Sequence, residues 1–300
     1  MSLKFAGHGL RRAVLALLSL PLLLVAAPAS ADDLTNTPAA RAKPVEDPAS
    51  AAPSSAELTG KDIYQRVLDN TYESFVQVSS LTSGDRGGNE QWSRFKMWFK
   101  SEREKGKEPA KGDVVSKSRV QYTEPFDIRH SGYLVLSKKE ETDDQFVYMP
   151  SQRRVKRVNL RGEAVFGTDF SFEDILPREL EDADYVRLPD EQTLGRECFV
   201  IEAVPNEVAS SEYSRMIVHV DKERSIPVLT RYWDEHGIEV KELRSEPDSA
   251  ELIDSIWIAK KMTMRHLKLQ TYTRFELASI QPNAKLSDSE FELRRLQAGR

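Results

Sequence analysis

The first part of the chain with a clear periodic pattern begins at Thr59. The sequence TGKD there has the form of a capping box, in which the first and fourth residues bond each other at a helix start. Four apolar residues then recur at helical spacing: Ile63, Tyr64, Val67 and Leu68. This pattern predicts an amphipathic helix that ends near Asn70.

After this helix the apolar residues recur every second position. In SRFKMWFK one face carries Phe95, Met97 and Phe99, and the other carries Arg94, Lys96, Trp98 and Lys100. Similar segments, bounded by Gly, Pro, Asn or Asp, follow at 118–125, 127–136, 144–150, 153–160, 197–205, 214–221, 227–235, 238–244, 253–266 and 271–281. About ten short strands without βαβ alternation predict a mainly β fold built on a curved antiparallel sheet or barrel.

Few helices are available to cover such a sheet. The second candidate is the segment 171–182, which opens with the capping-box sequence SFED at Ser171. A long sheet curls and must bury one face. With two small helices as its only cover, we expect the inner face to leave an apolar cavity, where ligands commonly bind.

Residues 1–31 have the parts of a secretory signal peptide. Cationic residues come first, at Lys4, Arg11 and Arg12. Residues 13–29 are apolar, and Ala29-Ser30-Ala31 fits a cleavage site. The alternative is an uncleaved membrane anchor, but the run is short for a span and contains Pro21. We therefore predict cleavage after Ala31 and a periplasmic protein.

The next region, residues 32–58, is rich in Ala, Pro and Ser and has almost no bulky apolar residue. Such a composition predicts a disordered tether, followed by one domain over residues 59–300. Removing Lys4, Arg11 and Arg12 takes the formal net charge from −5 to about −8, which argues against nucleic acid as a partner. Cys198 is the sole cysteine, so no internal disulfide forms.

The stretch RRVKRVNLRGEAVFGTDFSFED, residues 153–174, joins a basic strand to an aromatic and acidic segment. The basic strand fits two interpretations. It can be a charged sheet edge that deters aggregation, or a surface that meets lipid headgroups or a transporter. Gly167 can adopt a backbone conformation that other residues resist. Negative charge is favoured at the start of a helix, so the acids Asp169, Glu173 and Asp174 have a structural role there. This explanation disfavours a metal site.

Residues 146–175, FVYMPSQRRVKRVNLRGEAVFGTDFSFEDI, resemble the outer-membrane lipoprotein-sorting protein family of LolA/LolB-like carriers. That family shows Y-x-P, a basic strand, and an aromatic followed by G-[ST]-D-[FY]-[ST]-[FY]-E-D. The matching positions are Tyr148, Pro150, Arg153, Arg154, Arg157, Phe166, Gly167, Thr168, Asp169, Phe170, Ser171, Phe172, Glu173 and Asp174. A weaker resemblance extends from about Gly60 to Phe291, and the chain departs from the family's turn at PFDIRHSG, residues 125–132.

This resemblance implies a half-open, strongly curved antiparallel barrel with a short helical lid. It also implies that the cavity holds the acyl chains of a lipid or lipoprotein. The chains would pass between an inner-membrane transporter, of the RND type or lipoprotein-releasing, and the outer membrane. The alternative from the residues alone is a docking or structural module of an envelope export complex, with a filled core and no ligand.

Two sets of candidate site residues follow. The apolar cavity is expected to use Phe95, Met97, Phe99, Phe146, Tyr148, Phe166, Phe170, Met216, Met262 and Met264. Contact with a headgroup or partner is expected from the motif residues Arg153, Arg154, Arg157, Gly167, Asp169, Phe172, Glu173 and Asp174.

No catalytic machinery is recognisable along the chain. The histidines after residue 31, at 130, 219, 236 and 266, have no metal-binding spacing, and there is no nucleophile elbow or phosphate-binding loop. We therefore expect a non-enzymatic monomer that uses no metal or cofactor.

Overall fold

The computed structural model describes residues 58–298, except 105, 160, 161, 166, 176, 177, 208 and 210. The predicted signal peptide, the tether before Leu58 and the candidate cavity residue Phe166 lie outside the described residues. Within the described part of the chain, no helix combines the length and the apolar character needed to cross a membrane.

Three short α-helices are present among the described residues: α1 (Gly60–Asp69), α2 (Phe172–Ile175) and α3 (Leu293–Ala298). Four 3-10 helices occupy Pro150–Gln152, Leu180–Asp182, Pro247–Ser249 and Asp288–Phe291. The strands are β1 (Ser74–Gly84), β2 (Glu90–Ser101), β3 (Val114–Glu124), β4 (Gly132–Lys138), β5 (Asp144–Met149), β6 (Arg154–Val158), β7 (Ala183–Thr193), β8 (Arg196–Pro205), β9 (Arg215–Asp221), β10 (Pro227–Trp233), β11 (Glu239–Ser245), β12 (Ala250–Ile253), β13 (Ile256–Ala259), β14 (Lys261–His266) and β15 (Thr271–Pro282).

Thirteen strands form one sheet in the order β6-β5-β4-β3-β2-β1-β15-β14-β11-β10-β9-β8-β7, and β12 pairs with β13 as a separate hairpin. The neighbouring strands run antiparallel. Strands β6 and β7 are the two edges and do not pair with each other, so the sheet is open. The prediction of a mainly β protein with a large antiparallel sheet and few helices is confirmed.

Helix α1 starts as its sequence predicts. The Asp62 backbone N–H donates to Thr59 Oγ1 at 3.1 Å, and the Thr59 N–H donates to Asp62 Oδ2 at 2.9 Å, which completes the capping box. The helix then lies against β7 and β8. Gly60 permits this approach, because a Cβ there would be 2.9 Å from the backbone nitrogen of Arg187.

The second helix is much shorter than predicted. At its start the Ser171 N–H donates to Asp174 Oδ2 at 2.8 Å, which is one of the two hydrogen bonds of the expected capping box. It nevertheless ends at Ile175, and Glu179 has extended backbone angles and starts a separate 3-10 turn. The segment 162–182, called the crossing segment below, is therefore largely irregular and is held by side-chain contacts.

The main core lies on one face of the sheet, called the inner face. It contains Ile63 of α1, Val120 of β3 and Ile201 of β8, each at most 1% exposed. The crossing segment contributes Phe170 and Phe172 to the same cluster. Because strands from both halves of the sheet and the crossing segment meet there, this face is the enclosed side of the molecule.

A second, smaller core lies on the outer face, beneath the C-terminal segment. Trp98 and Leu134 from the sheet pack there against Phe291 and Leu296. Fully buried Arg119 lies over Trp98, its guanidinium carbon 3.5 Å from the ring centroid, and pairs with Glu290 at 2.8 Å. Burial lowers the pKa of Arg119 to about 10. The Trp among charged residues in SRFKMWFK is thus explained by a second covered face.

Strands β1, β7 and β12 were not anticipated from the sequence. Strand β1 carries four serines and a threonine, which hide its alternation, and β7 contains Pro189 and is mostly exposed, as edge strands often are. The segment 253–266, expected as one strand, divides between the hairpin β12–β13 and strand β14.

Candidate functional site

The inner face contains a cleft of about 410 Å³. It lies between α1, the inner side of β8–β11 and the β12–β13 hairpin. Most of its lining is apolar, with Phe75, Met216, Ile226, Leu243, Met262 and Ile280 among the side chains. A cleft of this size and character is typical of sites for small apolar ligands.

The β12–β13 hairpin lies over this cleft and is held by the end of α1. The side chain of Asn70 donates to the carbonyl of Trp257 at 2.8 Å and accepts from the Trp257 N–H at 3.0 Å. The Tyr72 hydroxyl donates to the carbonyl of Ile253 at 2.6 Å. Trp257 also faces Arg224, whose guanidinium carbon is 4.8 Å from the ring centroid. These contacts join the hairpin to the end of α1 and to the loop that carries Arg224.

Another part of the lining is polar and buried or half-buried. It comprises Asp174, Arg178 and the tyrosines Tyr64, Tyr185 and Tyr232. The rings of Tyr64 and Tyr185 stack at 4.5 Å. Burial, together with the Asp174 carboxylate, raises the pKa of Tyr232 above its ordinary value, so its hydroxyl keeps its proton at physiological pH. We call these five residues the polar end of the cleft.

Asp174 is fully supplied with donors. Its carboxylate accepts hydrogen bonds from the Ser171 hydroxyl at 2.9 Å, from the Tyr213 hydroxyl at 2.8 Å and from the Lys241 ammonium at 3.0 Å. Its side chain is 0% exposed. Such a complete set of partners stabilises a buried carboxylate and joins the crossing segment to β11.

Glu173 is bonded in a similar way. It accepts from Arg178 at 3.0 Å, from the Glu212 N–H at 3.0 Å and from the Ser211 hydroxyl. Burial opposes the charge on Arg178, but Glu173 and neighbouring Tyr64 keep its pKa above the ordinary arginine value. The cations Arg178 and Lys241 thus balance the two acids of the motif.

Asp169 and Phe172 also face inwards. Asp169 Oδ2 accepts from the Thr273 hydroxyl at 2.8 Å, and its Oδ1 accepts from Thr271. Phe172 meets Tyr133 edge-on, with ring centroids 5.1 Å apart. Glu173 and Asp174 are engaged inside the fold in the same way. Contact of all four residues with a headgroup or partner stays a prediction.

The basic motif residues are on the surface. Arg153, Arg154 and Arg157 are exposed at the edge strand β6 or beside it. Arg157 pairs with Asp144 of the neighbouring strand β5. Gly167 is also exposed and has a φ of 77°, the conformation for which glycine is favoured. Contact of these four residues with headgroups or a partner stays a prediction.

The predicted cavity residues are distributed over three places. Met216 and Met262 line the cleft. Phe95, Met97, Phe170 and Met264 belong to the packed inner core, and Phe99 stacks on the cleft residue Phe75 at 5.1 Å between ring centroids. Their direct contact with a ligand stays a prediction.

Phe146 and Tyr148 lie elsewhere. They pack against the outer-face core, and it is Val147 between them that meets the inner core. They are not among the residues that line the cleft, and their contact with a ligand stays a prediction. Strand β5 is apolar on both faces in FVYM, so its alternation could not indicate which side faces inwards.

Sequence reasoning singled out only Asp174 of the polar end, as a motif residue, and missed the hairpin. Tyr64 was recognised as an apolar helix position, but Arg178, Tyr185, Tyr232 and Trp257 were not singled out. They come from a loop, two strands and a hairpin that are far apart along the chain, so no local motif marks them. Among the described residues, no group of three or more His, Cys, Asp or Glu side chains could hold a metal ion.

Comparison with solved structures defines the class of fold. A DUF1329 family protein from Desulfovibrio piger matches with a TM-score of 0.72 and 26% identity, over 79% of this chain and 97% of that one. A putative outer membrane lipoprotein-sorting protein domain from Vibrio parahaemolyticus matches with a TM-score of 0.70 and 21% identity, over 79% and 98%. A LolA superfamily protein from Nitrosomonas europaea gives 0.63 and 18%, over 80% and 100%.

These matches confirm the resemblance to the lipoprotein-sorting family at the level of fold. A family model described as "Uncharacterized protein" matches residues 115–298, more than half of the 300-residue chain, and the chain belongs to that family. The model of DUF1329, a protein family of unknown function, matches residues 61–160. No curated protein matches the chain.

Proposed function

We propose that this protein is a periplasmic carrier that binds an acyl chain of a lipid or lipoprotein in the cleft of the inner face. The observation that supports this most directly is the apolar lining of that cleft, to which the β12–β13 hairpin contributes. The likeness to a lipoprotein-sorting protein domain and to a LolA superfamily protein adds support at the level of fold.

The hydrophobic effect supplies the binding free energy. Each methylene removed from water contributes about 0.8 kcal/mol, so even part of an acyl chain supplies several kcal/mol before entropic losses. Met216 and Met262 suit such a ligand, because methionine side chains adapt to irregular apolar surfaces. The β12–β13 hairpin takes the role of lid in this proposal, since the crossing segment carries only a four-residue helix.

The wider arrangement belongs to the same proposal. Residues 1–31 direct export, residues 32–58 form a tether, and residues 59–300 form the carrier domain. The monomeric carrier passes its chain between an inner-membrane transporter and the outer membrane without catalysing a reaction. The exposed arginines near β6 meet lipid headgroups or the transporter.

Filling the cleft tests this proposal. Leu243→Trp adds bulk at a half-buried lining position and should weaken binding of a fluorescent fatty acid at least about tenfold. The matched control is Val186→Trp, which adds the same side chain at a position that is 53% exposed and outside the lining. Equal affinities of wild type, Leu243→Trp and the control would contradict binding in this cleft. An absence of binding to the wild type would favour the docking module.

A further inference from the structure

The polar end of the cleft offers more hydrogen-bond donors than its neighbours use. Arg178 carries five N–H donors, and within the described chain it gives a side-chain hydrogen bond to one acceptor, Glu173 Oε1, at 3.0 Å. The hydroxyl of Tyr232 can also donate. Both residues line the cleft, and Arg178 interacts electrostatically with Tyr64 and Tyr232, which places these groups together.

The acceptors at this end are already engaged. The Asp174 carboxylate receives hydrogen bonds from Ser171, Tyr213 and Lys241, and Glu173 receives them from Arg178 and Ser211 and from the Glu212 N–H. Among the described residues, a ligand group placed here therefore meets N–H groups of Arg178 that no acceptor occupies, whereas both carboxylates are already engaged. Such a group must itself accept hydrogen bonds, because a buried donor without a partner is costly.

The charges around this site leave little attraction for an anion. The two acids Glu173 and Asp174 face the two cations Arg178 and Lys241. Arg178 also borders a second cleft of about 280 Å³, whose lining contains more acids than cations: Asp69, Glu73, Glu179 and Glu181 against Arg103 and Arg178. A negatively charged ligand group would add to an environment in which acids already equal or outnumber cations. The acceptor that fits is therefore uncharged.

The cleft volume restricts the apolar part of the ligand. About 410 Å³ lies near the lower end of the 300–1,000 Å³ that is usual for small-molecule sites. This volume suits one acyl chain better than the several chains of a complete lipid. The ligand end that reaches the tyrosines is consequently the polar end of one chain.

We propose that the cleft binds a single acyl chain as its neutral ester, with the ester carbonyl accepting hydrogen bonds from Tyr232 and Arg178. This inference rests on the proposed carrier function and names the chemical class of its ligand. The apolar lining around Met216 and Met262 holds the chain, and the polar end distinguishes an esterified chain from a free fatty acid and from a hydrocarbon.

Three ligands with the same chain length test this inference: methyl laurate, laurate at pH 8 and dodecane. Their affinities are measured by displacement of a fluorescent fatty acid from the wild-type domain and from Tyr232→Phe. We expect methyl laurate to bind about tenfold more tightly than dodecane, because it adds hydrogen bonds to otherwise free donors, and also more tightly than laurate. In Tyr232→Phe the preference for the ester over dodecane should fall about threefold.

Tyr133→Phe is the matched control, because it removes another buried tyrosine hydroxyl from the inner core but not from the cleft lining. Its preference for the ester should equal that of the wild type. Equal binding of methyl laurate and dodecane, or tighter binding of laurate, would overturn the ester assignment and leave the carrier function intact. Failure of all three ligands and of the fluorescent probe to bind would overturn both.

Discussion

The ammonium of Lys241 lies 3.0 Å from Oδ2 of Asp174, in an ion pair whose carboxylate is wholly buried. Lys241 belongs to β11, and Asp174 ends the motif that resembles the lipoprotein-sorting family. The pair therefore connects the crossing segment to the far half of the open sheet, directly at the polar end of the cleft. The acidic end of this motif thus forms an internal ion pair, whereas its arginines are on the surface.

Removal of the Asp174–Lys241 ion pair should destabilise the fold. Asp174→Ala leaves the Lys241 ammonium, 12% exposed, without its charged partner, and removal of one member of a buried pair typically costs about 3–5 kcal/mol. We expect a decrease of that order in the free energy of unfolding, measured by urea denaturation. The control is Asp190→Ala, whose more exposed pair with Arg187 should contribute less than about 1 kcal/mol. Equal decreases in the free energy of unfolding for the two variants would contradict a special stabilising role of the Asp174–Lys241 ion pair.

The C-terminal helix offers a matched pair of leucines. Leu296 is 0% exposed in the outer-face core, whereas Leu293 on the same helix is 43% exposed. Leu296→Ala should lower the free energy of unfolding by about 2–5 kcal/mol, and Leu293→Ala by less than about 0.5 kcal/mol. Thermal or urea unfolding checks both values. A neutral Leu296→Ala variant would show that the segment does not cover the sheet in solution.

Asp221 should make the stability of the protein depend on pH. Burial alone would raise the pKa of its carboxyl, but hydrogen bonds from Arg196 at 2.6 Å and from the Glu223 N–H at 2.9 Å hold that pKa below the usual 3.8. A depressed pKa in the folded state means that the carboxylate stabilises the fold above about pH 4. This stabilisation is lost as the pH falls through the folded-state pKa.

The measurement compares the free energy of unfolding of the wild type and Asp221→Asn across pH. We expect the largest difference near pH 7 and a progressively smaller one below pH 4. A difference that stays constant from pH 7 to pH 2 would show that the charge of Asp221 is not the source of the effect.

Asn70 should control how readily the cleft opens. Asn70→Ala removes both hydrogen bonds that join α1 to Trp257 of the hairpin, so the hairpin should open more often. We expect the release rate of a fluorescent fatty acid to rise by about tenfold, measured by stopped-flow dilution into a competitor. Asn89→Ala, in an exposed turn where Asn89 bonds Asp85, is the control and should leave the rate unchanged. Identical release rates in all three proteins would exclude the hairpin as a lid.

Much of the fold could be predicted from the sequence, because the spacing of apolar residues and the capping of helices are local properties. Helix α1 from Thr59 and the alternation in SRFKMWFK both follow from side chains close together in the chain. The sequence does not determine the orientation of a strand that is apolar on both faces, such as β5 around Phe146 and Tyr148. Which face of β5 points outwards depends on packing against the distant C-terminal segment. The second helix is shorter than predicted for a local reason. Pro177 follows its last turn, and proline lacks the N–H donor and disfavours helical backbone angles in the residue before it.

The sequence predicted the type of site, an apolar cavity, but not most of the residues at its polar end. The expectation of an apolar cavity on a curled sheet follows from too few helices for too many strands, and Met216 and Met262 do line the cleft. The polar end could not be found, because Tyr64, Arg178 and Tyr232 meet only after α1, the crossing segment and β10 have come together. Such an assembly depends on sheet order, which single-sequence patterns do not determine.

Native mass spectrometry of the protein purified from its own cells, followed by organic extraction of bound molecules, tests the carrier function most directly. We expect one acyl-chain ligand per molecule of the wild-type protein and none on Leu243→Trp. A protein that carries no lipid, and that also binds no fluorescent fatty acid when one is supplied, would contradict it.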